Sequence, residues 1–548
     1  MQVKKGQRNG NWQCAAALSS DDIFLMRGVS NSIPCWTSAT ELAGQSRILS
    51  DGHASDHPRD WDPYTFQPKG LCGTADARRV QVKPNPHIMK TSRLCALACA
   101  LLLAASSEAA THYVNLNNPS SVSPYTNWAS AAPDIQSAID VAEPGDLILV
   151  SNGVYQTGSH ISPDGVTNRI VVRGPFKVRS LYGASATVIV GSQVPGGSLR
   201  CAYLADGASL DGFTLTNGAK AGPYYSYTDA GGVHCTSTNV FITNCFFFGN
   251  SGATYSGTLD HCTLRGNTSP YATYSSILNY CTITRSSNGA SYEGELNNCI
   301  IAYNAWGVSG GVQRNCTIVA NTNSGTSGYA SLTNCIIYNN GSLGGSWQLV
   351  NCCVPYSYFF KFNDNFTNEP AFVDFSGGDF RLRPDSPCIN GGAGGSSVGD
   401  KDFAGNPRVV GTRVDVGAYE FQTPASAISY AYLQSCGLPF DGSADYIDSD
   451  GDGMNNSQEW IAGTNPTNRL SVLRMFAPTV NGSDLYVSWQ SATNRVYFVE
   501  RATNLAPPIV FHMIATNIVR GLSSGSTIGI IDRNAASLSP VFYRVGVQ

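Results

Sequence analysis

Charge is scarce in this chain. Of 548 residues only 13% are Asp, Glu, Lys or Arg, and 34 basic against 38 acidic side chains leave a formal charge of -4. Without a basic excess the electrostatic footprint that nucleic acid demands is missing, so no nucleic-acid partner is expected. An apolar run long enough to span a bilayer is missing too. The stretch Leu94 to Ala105 falls short of the roughly 20 residues a membrane helix needs. What is plentiful is glycine, 56 residues, in a composition that is 42% hydrophobic, the profile of a soluble chain with many turns. Length alone suggests three or four domains, but a repeat architecture can absorb that length as one.

A repeat is present. Cys245, Cys262, Cys281, Cys299, Cys316, Cys335 and Cys352 follow one another at 17, 19, 18, 17, 19 and 17 residues, periods too short for any helical repeat. Three residues earlier stand Ile242, Leu259, Leu278, Leu296, Leu332 and Leu349, with Val312 shifted by one in the fifth copy. Two residues later come Phe247, Leu264, Ile283, Ile301, Ile318, Ile337 and Val354. Side chains alternate faces along a strand, so each Cys and its i+2 partner point into a common interior. A period below about 20 residues leaves room for two or three short strands per coil and for no helix, which is the β-helix among repeat folds. Two Asn columns run beside the Cys column: Asn244, Asn298, Asn315, Asn334 and Asn351, interrupted by His261 and Tyr280, and then Asn250, Asn267, Asn304, Asn321 and Asn340. Both are expected at turns, where Asn tolerates left-handed backbone.

Residues 1–88 show no sustained period. Met89-Lys90-Thr91-Ser92-Arg93, the apolar run and Ser107-Glu108-Ala109 have the layout of a signal peptide over residues 89–110, cleaved after Ala109 or Ala110. Such a signal does not work behind 88 hydrophilic residues, so Met89 is the expected start and residues 1–88 are upstream or disordered sequence. Residues 1–109 hold 12 basic and 9 acidic side chains, which leaves 22 and 29 in the exported part, net -7. In an oxidising compartment the Cys column has two readings. Disulfides fit a coil spacing of about 4.8 Å, yet inward side chains of stacked coils run parallel and Cys is often buried. Free buried thiols are the expectation, with Cys353 the odd one, because adjacent Cys352 and Cys353 cannot both face inward on a regular strand.

Asp134 to Ala142 carries one short amphipathic helix pattern, placed to cover the open end of the first coil and its unpaired strand. With Pro144-Gly145-Asp146 and Gly153-Val154-Tyr155 after it, this segment resembles the start of secreted bacterial right-handed parallel β-helix proteins of the pectin-lyase-like family. The coils are expected over 111–367. Residues 368–423 contain Pro370-Ala371-Phe372-Val373-Asp374, Ser386-Pro387-Cys388-Ile389-Asn390-Gly391-Gly392, Asp402, Gly405, Arg408 and Asp415-Val416-Gly417-Ala418-Tyr419-Glu420-Phe421. That series is similar to the choice-of-anchor segment that ends such β-helices, and the resemblance implies closure of the second open end and display or secretion rather than catalysis.

Residues 424–470 hold Asp448-Ser449-Asp450-Gly451-Asp452-Gly453-Met454-Asn455-Asn456-Ser457-Gln458-Glu459. This fits a 12-residue calcium loop: Asp448, Asp450, Asp452, the Met454 carbonyl, Asn456 and a bidentate Glu459 as ligands, with Gly453 at the turn. Apolar residues on both sides allow a helix-loop-helix, and the alternative is a dockerin-like or thrombospondin type 3-like linker. Against metal binding stands an acidic, solvated turn. Residues 471–548 alternate apolar and polar in short runs, as in Leu485 to Trp489 and Val541 to Val545, and suggest a small β-sandwich.

The expected fold class is therefore all-β: a right-handed parallel β-helix with an N-terminal capping helix, a calcium-loop segment and a C-terminal β-sandwich-like domain. No catalytic residues are assigned. Glycoside hydrolysis needs two facing carboxylates, and the lyases of the family are implied to use Lys or Arg beside acidic calcium ligands. Here the acidic pair Glu293 and Glu295 reads as solvent-facing. Tyr255, Tyr274, Tyr292, Tyr329 and Trp347 supply one aromatic in most coils. Standing four before a ladder Leu on an unbroken strand, the first three are expected inside, and Tyr224, Tyr225 and Tyr227 are the candidates for exposed glycan contact. The reading is an extracellular or cell-surface scaffold for adhesion or glycan contact, steadied by Ca2+, with a polysaccharide lyase or glycoside hydrolase as the alternative. Polysaccharide or cell-envelope glycan is the partner class.

Overall fold

The structure is a computed structural model that describes residues 109–547 apart from 195, 221–229, 356–363, 395–398, 493–494, 520–525 and 539. The signal-peptide region up to residue 108 and the three candidate tyrosines, Tyr224, Tyr225 and Tyr227, lie outside the described residues. Short strands separated by tight turns wind into a parallel β-helix. One face is a nine-stranded sheet from Gly153–Tyr155 to Ile336–Tyr338, paired in register throughout, with Leu264 beside Ile283 and Ile301 beside Ile318. A second ladder runs from Thr111–Val114 to Ser346–Val350, and a third from Thr167–Val172 through Arg200–Leu204 to Gly289–Tyr292. Trp306–Arg314 and Ser324–Thr333 join the last two ladders in single long strands.

The interior is built as the spacing predicts. Ile242, Leu259, Leu278 and Leu296, the seven ladder cysteines, and Phe247 to Ile337 are all buried in one core. The fifth copy departs from expectation. Gln313, not Val312, occupies the Leu column between Leu296 and Leu332, and it is fully buried. Its Nε2 donates to the Gly310 carbonyl at 3.0 Å, while its Oε1 has no hydrogen-bond partner.

Both corner columns work by the same device. Asn244, His261, Tyr280, Asn298, Asn315, Asn334 and Asn351 all adopt φ between 51° and 54°, the left-handed turn that Asn tolerates. The following Cys then turns inward, and its N–H is accepted by the thiol of the next coil: Cys245 by Cys262, Cys262 by Cys281, Cys281 by Cys299, each at 3.4 Å. At the other corner the left-handed residue is the one before the Asn, for example Gly249, Gly266, Tyr303 and Ala320. Asn250, Asn267, Asn304 and Asn321 are themselves buried and hydrogen-bond along the axis, the Asn304 N–H and Nδ2 both donating to Asn321 Oδ1 at 3.0 Å. The second Asn column is thus an internal amide ladder rather than a row of turn residues. The twelve described cysteines are all free.

Helix α1, Ile135–Ile139, caps the first coil. Asp134 accepts the Ser137 N–H at 2.8 Å and starts it. Gln136 faces the open edge, its Oε1 accepting from Val171 N and its Nε2 donating to Val171 O, so an amide side chain satisfies the strand edge that has no coil before it. Ile135, Ala138 and Ile139 fill the end of the core.

At the other end, residues 364–421 do more than close an opening. They lie along the outer face of the last coils, where Ile300, Ala302, Val319 and Ile336 point outward into a second core with Phe372, Phe380, Ile389 and Val416. Cys353 belongs to this outer layer, so Cys352 and Cys353 face opposite ways and both are buried. Inside the closing segment, Arg408 is enclosed with Asp402, Asp415 and Glu420. Each carboxylate accepts two backbone N–H groups, and Arg408 donates to the carbonyls of Asp415 and Gly417. Burial pushes Asp415 up to about 7 and Glu420 up to about 8.

The C-terminal domain is two three-stranded antiparallel sheets around Val487, Trp489, Tyr497, Val499 and Ile528, the expected small sandwich. Among the described residues no helix is long and apolar enough to cross a membrane.

Candidate metal centre

The loop Asp448 to Glu459 sits between α2, Tyr430–Ser435, and α3, Asn456–Ala462. It does not form a continuous helix-loop-helix, because α2 ends well before Asp448 and the chain reaches the loop through turns. Asp445 ties those turns to the closing segment, accepting from Ser426 Oγ at 2.6 Å and Ala427 N at 2.8 Å. At the C-terminal end of the loop, Asn455 and Gln458 form a capping box that starts α3, so Asn456 and Glu459 stand on its first turn, and Trp460 joins Ile428 and Leu433 in a small core. The loop is thereby held at both ends by packing.

Within it, Gly451 and Gly453 have φ of 74° and 100°, a curl that needs glycine. The curl aims backbone N–H groups at the acidic side chains. Gly451 N and Gly453 N donate to the two Asp448 oxygens at 2.7 and 2.9 Å, and Met454 N donates to Asp452 Oδ1 at 2.8 Å. The bonds to Asp448, that from Gly453 foremost, hold it below the usual carboxylate range. Oxygens of Asp448, Asp450 and Asp452 lie within 4.8 Å of one another.

Asn456 and Glu459 are fully buried beneath this triad. Asn456 Nδ2 donates to Ala444 O at 2.8 Å, which orients its oxygen, and Glu459 Oε1 accepts from Thr464 Oγ1 at 3.3 Å. Asp450 Oδ2, Asp452 Oδ2, Asn456 Oδ1 and Glu459 Oε2 are buried acceptors without a hydrogen-bond partner. Burial, and then the charges of Asp450 and Asp452, push Glu459 up to about 7. Four acceptors left unpaired in one place cost free energy unless a cation or donors meet them. The donor set is all oxygen, which suits a hard divalent ion.

The aromatic column is placed differently from expectation. Ser256, Ser275 and Glu293 adopt left-handed φ between each Tyr and its ladder Leu, which resets the alternation and keeps the rings out of the Cys-lined core; Tyr255 and Tyr292 are part-exposed, whereas Tyr274 is buried as expected. Tyr203, His234 and Tyr255 stack at 5.6 and 5.0 Å with nearly parallel planes. Tyr271, Tyr274 and Tyr292 continue as a tilted cluster, and Tyr329 is 86% exposed. The Trp347 side chain is outside the described residues. Of the acidic pair, Glu295 is half-exposed and meets Arg314 Nη1 at 2.5 Å.

Two arginines that sequence reasoning passed over meet beside the loop. Arg495 donates to the carbonyls of Trp460 and Ile461 and pairs with Asp364 at 2.8 Å, and Arg413 stacks over the Trp460 ring at 4.6 Å. No local signal marks them, since each comes from a separate segment.

Comparison with known proteins matches residues 448–468 to the bacterial TSP3 repeat. No curated protein matches the chain. Among solved structures, similarity is found to pectate lyase Pel9A, with 16% identity, 57% of this chain and 97% of the other covered, and a TM-score of 0.41. A rhamnogalacturonan lyase follows at 9% identity, 48% and 91% coverage, and TM-score 0.33. An alginate lyase from Paenibacillus sp. str. FPU-7 is similar at 11% identity, 39% and 94% coverage, and TM-score 0.22.

Proposed function

We propose that the chain is an exported, extracellular or cell-surface β-helix scaffold for adhesion or glycan contact, whose C-terminal part is fixed by Ca2+. Asp448, Asp450, Asp452, the Met454 carbonyl, Asn456 and Glu459 are the ligands. The observation that carries the metal reading is the group of four buried, partnerless oxygens on Asp450, Asp452, Asn456 and Glu459. The match to a bacterial TSP3 repeat over the same residues supports it. Calcium suits the site better than magnesium, because its 6–8 oxygen ligands in flexible geometry accommodate a long, glycine-curled loop. The closing segment, with its Arg408 network, takes the choice-of-anchor role of sealing the solenoid ahead of the terminal modules.

For glycan contact the supporting feature is the part-exposed Tyr255 and Tyr292 and the exposed Tyr329, whose rings offer stacking surface. Tyr224, Tyr225 and Tyr227 are proposed as further contacts. A glycan array on the calcium-loaded chain tests this, with Tyr255→Ala and Tyr292→Ala as variants. Binding that is unchanged in both variants removes the aromatic column from the proposal. Release of reducing or unsaturated ends from a bound polysaccharide instead establishes the alternative, a polysaccharide lyase or glycoside hydrolase.

A further inference from the structure

Where α3 meets the end of the β-helix there is a cleft of about 270 Å³, lined among others by Asp364, Asn365, Arg413, Tyr432, Trp460 and Arg495. Its charges are two guanidinium groups and one carboxylate, a local positive excess in a chain of net charge -4. The two arginines are used unequally. Arg495 is committed to Asp364 and to the last carbonyls of α3. Arg413 is half-buried and stacks on Trp460, yet among the described residues it makes no hydrogen bond or ion pair. A residue with five N–H donors in a rigid fork thus lines the cavity. Burial and the nearby Arg495 charge both weigh against the Arg413 cation, and among the described residues Asp364 is the charge that offsets them. Trp460 already has one face covered by Arg413, so the cleft is not built for ring stacking. It is built for a small group that accepts several N–H bonds in one plane.

We propose that this cleft binds a small oxyanion, held by the Arg413 fork with Arg495 adding charge. The chemistry shared by its ligands is a planar or tetrahedral cluster of negative oxygens, supplied either by a carboxylate on a sugar or by a free inorganic anion. The site is independent of the calcium loop in its donors, although α3 carries both the ligand Glu459 and the wall residue Trp460.

The test is calorimetric titration of the full chain with sodium glucuronate, and with glucose as the uncharged control, alongside melting curves in sodium sulfate. Arg413→Gln removes the fork. Arg413→Met keeps an apolar stem on Trp460 and decides the matter should the Gln variant fold poorly. Glucuronate is expected to bind and glucose not, with affinity falling about tenfold or more in either variant, as expected for loss of a charge-assisted hydrogen-bonded pair. Sulfate stabilises proteins generally by exclusion, so only the part of its effect that the variants lose counts as binding. Loss for glucuronate alone assigns the sugar carboxylate, and loss for both anions or for sulfate alone assigns the free anion. Equal behaviour of wild type and variants toward both anions overturns the proposal, as does glucose binding as tightly as glucuronate. Repeating the titration with a chelator present separates this site from the calcium loop, since anion binding that needs calcium but survives both Arg413 variants is a cation bridge and also overturns it.

Discussion

The proposed calcium site at Asp448 to Glu459 makes the sharpest prediction. In the absence of the ion, Asp448, Asp450 and Asp452 stand within 4.8 Å of one another above a buried Glu459. Bound calcium stabilises only the folded loop, by RT ln(1 + [Ca2+]/Kd). Extracellular calcium modules bind with Kd of about 10⁻⁴ to 10⁻³ M. At about 10 mM calcium the gain is then roughly 1.4 to 2.7 kcal/mol. The informative perturbation is Glu459→Gln, which keeps the shape and removes one charge. With calcium present the variant is less stable than wild type, having lost the bidentate ligand. In a chelator it is at least as stable, because it removes a buried charge that faces Asp450 and Asp452. Denaturant unfolding of the full chain, followed through near-ultraviolet circular dichroism with and without calcium, reads both orders. A wild type indifferent to calcium, or a variant that loses the same stability in both conditions, refutes the reasoning.

Three further outcomes are expected. Gln313→Leu continues the Leu column between Leu296 and Leu332 and removes an orphaned oxygen, so it raises stability by about 1 kcal/mol in the same unfolding assay; a loss means that the Gly310 contact outweighs the orphan. Native alkylation followed by mass spectrometry should modify Cys436 first among the described cysteines, the other eleven being buried thiols. All twelve become reactive in denaturant, and a mass two units low per missing thiol pair would instead reveal disulfides. Asp415 and Glu420 have folded values pushed up to about 7 and about 8, above their ordinary values near 4. Their contribution is therefore complete below about pH 4 and lost as pH rises through 7 to 8; the melting temperature should fall across that window, and Glu420→Gln should flatten the fall.

How much of this was legible beforehand depended on range along the chain. The Cys column and its i+2 apolar partner recur every 17 to 19 residues, the acidic loop is a pattern of twelve, and α1 announces itself by apolar spacing. The columns and α1 stand where expected, and the acidic loop curls at Gly451 and Gly453. The aromatic column was misplaced because the parity argument assumed an unbroken strand, and the left-handed turns at Ser256, Ser275 and Glu293 reset it. These are not Gly or Asn, so no turn residue gave warning. In the fifth copy the register of the neighbouring coils places Gln313 rather than Val312 in the Leu column, although burying an amide is costly. The apolar outward positions Ile300, Ala302, Val319 and Ile336 were visible as an excess of hydrophobics in the last coils, but their partner lies in residues 364–421.

By itself the amino-acid order determined a stacked solenoid with an inward Cys column and an acidic loop spaced for calcium, because a repeat near 18 residues and a 12-residue ligand pattern permit few geometries. Only the tertiary structure decided why those cysteines suit their place. The thiols of Cys262, Cys281, Cys299 and Cys352 each accept the N–H that a left-handed corner strands in the coil before, a bond between residues 17 to 19 apart. The tertiary structure alone also brought Arg413, Trp460 and Arg495 to one cleft. Contacts between distant segments depend on how the coils, the closing segment and α3 pack, and no local pattern encodes that packing.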